Sequence, residues 1–171
     1  ENVSDHLTHF NLFFMPDFAR TVYAGEPWFE AAARRFTALS GEASAEAITA
    51  RKDFLHLMGI MAGKWPHTLT IQPGGSARAV ESGERLRLLA ILAGFRGFLE
   101  RRLFGDGLER VAALDSLEAL HAWAEEAPPE SSDFRLFLHI ADRLALHSLG
   151  WATDRFMSYG NYPLEGRRLF E

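Results

Sequence analysis

The sequence predicts an all-α fold: a single helical domain over residues 1–171, with five to seven helices and at most one or two short strands. Apolar residues recur at three- and four-residue spacing along most of the chain, and runs of β-branched residues are nearly absent. A chain of 171 residues is also long enough to bury a core and short enough for one domain.

Composition excludes several classes of protein. With 18 Lys and Arg against 23 Asp and Glu, the net charge is -5, so the positive surface of nucleic-acid-binding proteins is not expected. The chain has no Cys, which removes disulfides and thiolate metal ligands. No apolar stretch approaches the roughly 20 residues of a membrane span, and no targeting-peptide pattern follows Glu1. We therefore expect a cytoplasmic chain, compatible with a piece of a longer protein, that has no nucleic-acid partner and no membrane span.

Capping residues and prolines set the expected boundaries of the first two helices. Ser4 can cap a helix that runs to about Met15, where Pro16 removes an amide donor and stops or kinks it. Pro27 suits a first helical turn, so a second helix is expected over Trp28–Leu39. Three apolar residues are expected on its buried face: Phe29, Ala32 and Phe36.

Two longer helices are expected in the middle of the chain, from Ser44 to about Met61 and from about Val80 to Phe104. Each has an apolar stripe that should face the core: Ile48, Leu55, Met58 and Met61 in the first, and Leu86, Leu89, Leu92, Phe95 and Leu99 in the second. Between them, Thr68–Ile71 alternates in polarity before a Pro73–Gly74 turn, which is typical of a short strand.

The last part of the chain predicts two more helices. Asp115–Ser116 can start the first, which ends before Pro128. Ser131–Ser132 can start the second, which is expected to run to about Gly150. A second short strand is expected over Phe156–Tyr159.

The first helix contains a candidate metal site or proton relay. Spacings of three and four place Asp5, His6 and His9 near one another, about 5–6 Å apart for Asp5 and His9. A structural metal site needs about four ligands, however, and no second pair of ligands lies nearby in the sequence. The favoured interpretation is a polar start to the helix, and no metal site is predicted.

The segment Gly63–Gly75 is the least ordinary part of the sequence. Its glycines and prolines restrict the backbone and frame Lys64, Trp65 and His67. Two interpretations stay open from the residues alone: a rigid connection between helices, or a binding surface.

Two of these segments resemble the large-subunit family of nickel-iron hydrogenases. Asp5–Leu12 is similar to that family's DHxxHFYxL element, with Asn11 at the usual Tyr position. Ala62–His67 with Pro73–Gly75 resembles its GGKxPH motif followed by a Gly-Gly turn, with Ala62 in place of the first Gly.

The resemblance continues on both sides of the second segment. Arg51–His56 is similar to the family's preceding helix, although Leu57 stands where Glu is common. Phe156–Gly160 resembles the family's FLSYG segment. Motifs in the family's order therefore cover most of the chain, and we identify it as similar to the middle segment of a large subunit.

The resemblance implies where cofactor and partner would lie. In the family, cysteine motifs on either side of this region hold the nickel-iron centre, in which iron carries cyanide and carbon monoxide, so this chain would hold neither metal nor cofactor itself. Asp5 and His9 would lie beside that centre without binding it. Lys64, Trp65 and His67 would belong to a loop that faces a partner, either the hydrogenase small subunit or maturation proteins.

Three functions remain open at this point. The favoured one is a large-subunit-like accessory protein of the HupK/HoxV type, a scaffold for assembly of the nickel-iron site, because Asn11, Leu57 and Ala62 depart from the catalytic pattern. The second is a fragment of a catalytic uptake hydrogenase, so whether the longer protein is an enzyme stays open. The third is a helical interaction module without chemistry.

Overall fold

A computed structural model describes residues 2–68, 70–76, 78–150 and 152–155. These residues form seven α-helices and one two-stranded sheet, so the predicted all-α fold is confirmed. The helices are α1 (Asn2–Thr8), α2 (Phe29–Phe36), α3 (Glu42–Ala62), α4 (Ser82–Phe98), α5 (Leu108–Ala112), α6 (Leu117–Glu125) and α7 (Asp133–Arg143), and the strands are β1 (Ile71–Gln72) and β2 (Gly75–Ser76). None of the described helices is both long and apolar enough to cross a membrane.

The chain divides into two compact units, Glu1–Ile140 and Ala141–Glu171. The first unit contains α1 to α6 and most of α7. In the second, α7 ends at Arg143 and a short 3-10 turn covers Leu146–Ser148. The single domain expected from the sequence stays a prediction.

The N-terminal helix differs from its predicted boundaries. Ser4 lies inside α1 and is buried, so it is not the cap. Beyond α1 the helical path continues as a π-helix over His9–Phe14 and a 3-10 helix over Met15–Ala19. Pro16 does not stop it because it occupies the first turn of the 3-10 helix, where a backbone N–H would have no partner within that helix.

Helix α2 confirms the predicted buried face of the second helix. Ala32 and Phe36 are buried, and Phe29 is half-buried. The helix packs against the 3-10 helix at Met15–Ala19, where Phe18 contacts Trp28 edge to face with ring centroids 6.4 Å apart. This aromatic contact forms one part of the core.

Helices α3 and α4 pack against each other around a second aromatic contact. The rings of Phe54 and Phe95 stack with centroids 4.0 Å apart and an interplanar angle of 17°. Helix α3 begins after Gly41, so the predicted cap Ser44 lies within it. A π-helix continues α4 over Leu99–Phe104, as far as the predicted end of that helix.

The predicted burial is wrong for several residues of the apolar stripes on α3 and α4. Leu86, Leu89 and Leu92 are exposed, with 70%, 51% and 46% of their surface accessible, and on α3 Ile48 and Met61 are exposed as well. Helix α4 has apolar residues on two sides, and α3 covers only the side that contains Phe95. Periodicity alone does not choose between the two sides.

Helices α6 and α7 begin where their capping serines predict. The Ser116 hydroxyl accepts a hydrogen bond from the Ala119 amide at 3.2 Å, and the Ser132 hydroxyl accepts one from the Arg135 amide at 3.3 Å. The predicted end of α7 near Gly150 is wrong, because Ala145 takes a left-handed conformation with φ 48°.

A buried ion-pair network joins four elements of the first unit. The Arg35 guanidinium of α2 donates to both carboxylate oxygens of Asp133 at 2.7 and 3.0 Å, and to Glu46 of α3 at 2.7 Å. Glu46 also pairs with Arg102 of the second π-helix at 3.1 Å. The side chains of Arg35 and Asp133 are only 12% and 5% exposed.

Burial disfavours the charged forms of both Arg35 and Asp133. It lowers the pKa of the Arg35 guanidinium, but the hydrogen bonds to Asp133 and Glu46 outweigh it and raise that pKa above its ordinary value. Burial also raises the pKa of the Asp133 carboxyl, and the Arg35 guanidinium opposes this shift. The network is therefore stable only while its hydrogen bonds are complete.

We predict that Asp133→Ala lowers the free energy of unfolding by about 3–5 kcal/mol, because it removes two of the three side-chain hydrogen bonds of the buried Arg35 guanidinium. Chemical denaturation measures the effect. Glu126→Ala, which removes the exposed partner of Arg110, is the matched control and should change stability little. Equal losses in the two variants would contradict a special role for the buried pair.

Candidate functional site

The first group of predicted site residues lies on the outer side of the N-terminal helix. Asp5, His6 and His9 are all exposed. The His9 Nδ1 donates to the backbone carbonyl oxygen of Asp5 at 2.9 Å, and its ring contacts Phe13 with centroids 5.7 Å apart. Because Nδ1 is used within the helix, His9 has one ring nitrogen left for a ligand.

The donor atoms of the chain do not fit the nickel-iron centre that the resemblance implies. That centre requires soft thiolate ligands, and the chain has no Cys. Within residues 2–68, 70–76, 78–150 and 152–155, no three His, Cys, Asp or Glu side chains group closely enough to hold a metal ion.

The second group lies in the loop that follows α3. Gly63 ends the helix with φ 72°, and the Thr68 hydroxyl donates to the carbonyl of Ala62 at 3.1 Å. Strands β1 and β2 pair antiparallel across the Pro73–Gly74 turn, with Ile71 opposite Ser76. A strand at Ile71 and the turn were predicted; the pairing with Gly75–Ser76 was not.

The loop holds Lys64, Trp65 and His67 outside the core. Lys64 and His67 are exposed, and His67 adopts a left-handed backbone conformation with φ 64°. Trp65 is half-buried, with the guanidinium carbon of Arg51 5.1 Å from its ring centroid. One side of the indole is thus covered by α3 while the loop remains at the surface.

The two groups of residues share one supporting helix. Helix α1 packs against α3, and the loop begins directly after α3. The third motif of the resemblance, Phe156–Gly160, and the strand predicted there lie outside the described residues.

Sequence reasoning missed the open grooves beside α3 and α4. One, of about 840 Å³, runs between the two helices past Phe54 and Phe95, and another, of about 880 Å³, lies between the loop and α4 near Thr70 and Arg87. One feature of the sequence indicates uncovered surface on α4. Leu88 and Leu89 are adjacent in the sequence, and adjacent residues of a helix cannot both face the same neighbouring helix.

Comparison with known proteins adds no assignment, because no family model matches the chain and no curated protein matches it.

We predict that the isolated chain binds Ni²⁺ no more tightly than micromolar, because Asp5, His6 and His9 offer an exposed and incomplete ligand set. Isothermal titration calorimetry measures the binding. A stoichiometric site of higher affinity that disappears in His9→Ala, but persists in the control His147→Ala, would contradict the prediction.

Proposed function

We propose that this chain is the middle segment of a large-subunit-like scaffold that acts in assembly of the nickel-iron site of a hydrogenase. The order of the segments Asp5–Leu12 and Ala62–Gly75 supports the proposal. The observation that carries it is the loop Gly63–Gly75, which is exposed and has a tightly restricted backbone.

The loop has the properties of a preformed binding surface. The left-handed His67, the hydrogen bond from Thr68 to Ala62 and the paired strands limit its backbone freedom. Little ordering entropy is then lost when a partner binds. Trp65 supplies an aromatic anchor, and Lys64 supplies an adjacent positive charge.

The donor atoms favour a scaffold over a complete enzyme. Neither Asp5 nor His9 replaces a thiolate, and Asn11, at the family's usual Tyr position, is buried and donates to the carbonyl of Leu7 at 3.1 Å. The partner on this proposal is the hydrogenase small subunit or a maturation protein. The longer protein would hold the iron fragment, with its cyanide and carbon monoxide, only transiently.

We predict that Trp65→Ala weakens association of the chain with the hydrogenase small subunit or a maturation protein by about tenfold or more, because it removes the aromatic anchor. Binding is measured by fluorescence anisotropy, and circular dichroism checks that helix content is unchanged. Leu117→Ala, an equally apolar truncation at an exposed site on α6, is the control. Unchanged affinity in Trp65→Ala would contradict the loop's role.

We also predict that the full-length protein lacks at least one cysteine of the N-terminal pair, and that Asp5→Asn in it impairs maturation of a separate hydrogenase. Hydrogenase activity in cell extracts measures maturation, with Asp17→Asn, another exposed carboxylate, as the control. Two intact cysteine pairs, or hydrogen-dependent dye reduction by the full-length protein with a small subunit, would favour the catalytic alternative.

A further inference from the structure

The side of α4 that points away from α3 is apolar. At about 100° per residue, Leu86, Leu89, Ala90, Ala93 and Gly97 fall on the side opposite Phe95, and we call these five residues the α4 outer face. Leu86 and Leu89 are exposed, as are Ala90 and Ala93. The face extends over three turns, or about 16 Å.

The exposed positions of α3 are mixed by comparison. They include the polar residues Thr49, Lys52, Asp53 and His56 and the apolar residues Ile48 and Met61. Helix α3 thus exposes both polar and apolar side chains, whereas the α4 outer face consists of leucines and small residues. Contiguous exposed apolar residues of this kind mark an interaction site.

Arginines surround the α4 outer face. By helical position Arg85 and Arg96 lie along one border and Arg87 along the other, and Arg101 lies over Gly97, with its Nη1 2.7 Å from where a Cβ would stand. Arg96 pairs with carboxylates, whereas Arg85 and Arg87 form no salt bridge among the described residues.

Acidic residues are fewer than arginines at the same face: Glu100, which follows Gly97 by one turn, lies at its C-terminal end and pairs with Arg96. The acidic residue within α4 is Glu84, which lies on the side towards α3 and pairs with Arg78. The face is therefore locally positive on a chain whose net charge is -5. Charge complementarity points to a negatively charged occupant.

We propose that the α4 outer face binds an amphipathic helix of a partner protein whose apolar stripe is bordered by Asp and Glu. The small side chains at Ala90 and Ala93 let a helix approach closely, and the groove of about 840 Å³ opens beside Ala90 and Gly94 to receive its side chains. The leucines supply the apolar contact, and Arg85 and Arg87 pair with the acidic borders.

Other occupants fit less well. A second copy docked through the same face would bring two sets of arginines together, which costs free energy. An anionic membrane would attract the arginines but repel a chain of net charge -5, and it has no side chains to fill the groove. The proposal is independent of the hydrogenase assignment, because it rests on α4 and not on the loop at Trp65.

The test uses two synthetic helical peptides of about 18 residues with the same leucine stripe, one bordered by Glu and one by Lys. Fluorescence anisotropy with the full chain is expected to show binding of the Glu peptide at least about tenfold tighter than the Lys peptide, weakening as salt rises. The double variant Arg85→Glu/Arg87→Glu should reverse this preference.

A second pair of variants tests the apolar contact. Leu86→Gln/Leu89→Gln should weaken binding of the Glu peptide about tenfold or more, while the control Leu117→Gln on α6 should not change it. Circular dichroism checks the fold of each variant.

Four results would overturn the proposal. They are no binding of the Glu peptide, equal binding of both peptides, sedimentation with phosphatidylserine vesicles that Leu86→Gln/Leu89→Gln abolishes, and self-association that the same substitutions abolish. The last two would assign the face to a membrane or to a second copy.

Discussion

The packing of the first unit depends on the buried guanidinium of Arg35. Its bidentate contact with Asp133 fixes both the distance and the angle between α2 and the start of α7, and its contact with Glu46 adds α3. Asp133 is also the first residue of α7, where a negative charge is stabilised by the helix dipole. A charge buried to this extent needs its partners in place, so the helices that supply them must be positioned together.

Helix α3 connects this packing to the exposed surfaces of the first unit. It contacts α1, α2 and α4, and the loop that contains Trp65 begins directly after its C-terminus. The guanidinium of Arg51, on the same helix, lies over the indole ring of Trp65. The orientation of α3 therefore sets where the loop emerges and which side of α4 is left uncovered.

The two resulting surfaces differ in chemistry. The loop presents an aromatic ring, a lysine and a histidine on a restricted backbone, whereas the α4 outer face presents leucines bordered by arginines. Neither surface contains the thiolates that redox metal chemistry of the hydrogenase kind requires. If both proposals hold, the chain would bind two partners through surfaces of different chemistry.

The sequence by itself determined the helical fold, the starts of α6 and α7, the buried face of α2 and the Pro73–Gly74 turn. Each depends on local chemistry, such as the serine caps at Ser116 and Ser132, that acts within a few residues. Only the tertiary structure decided which side of α4 is buried, because both sides are apolar and the choice falls to its neighbour α3. It also decided the partner of Arg35, since Asp133 lies 98 residues away in the chain and no spacing rule connects them.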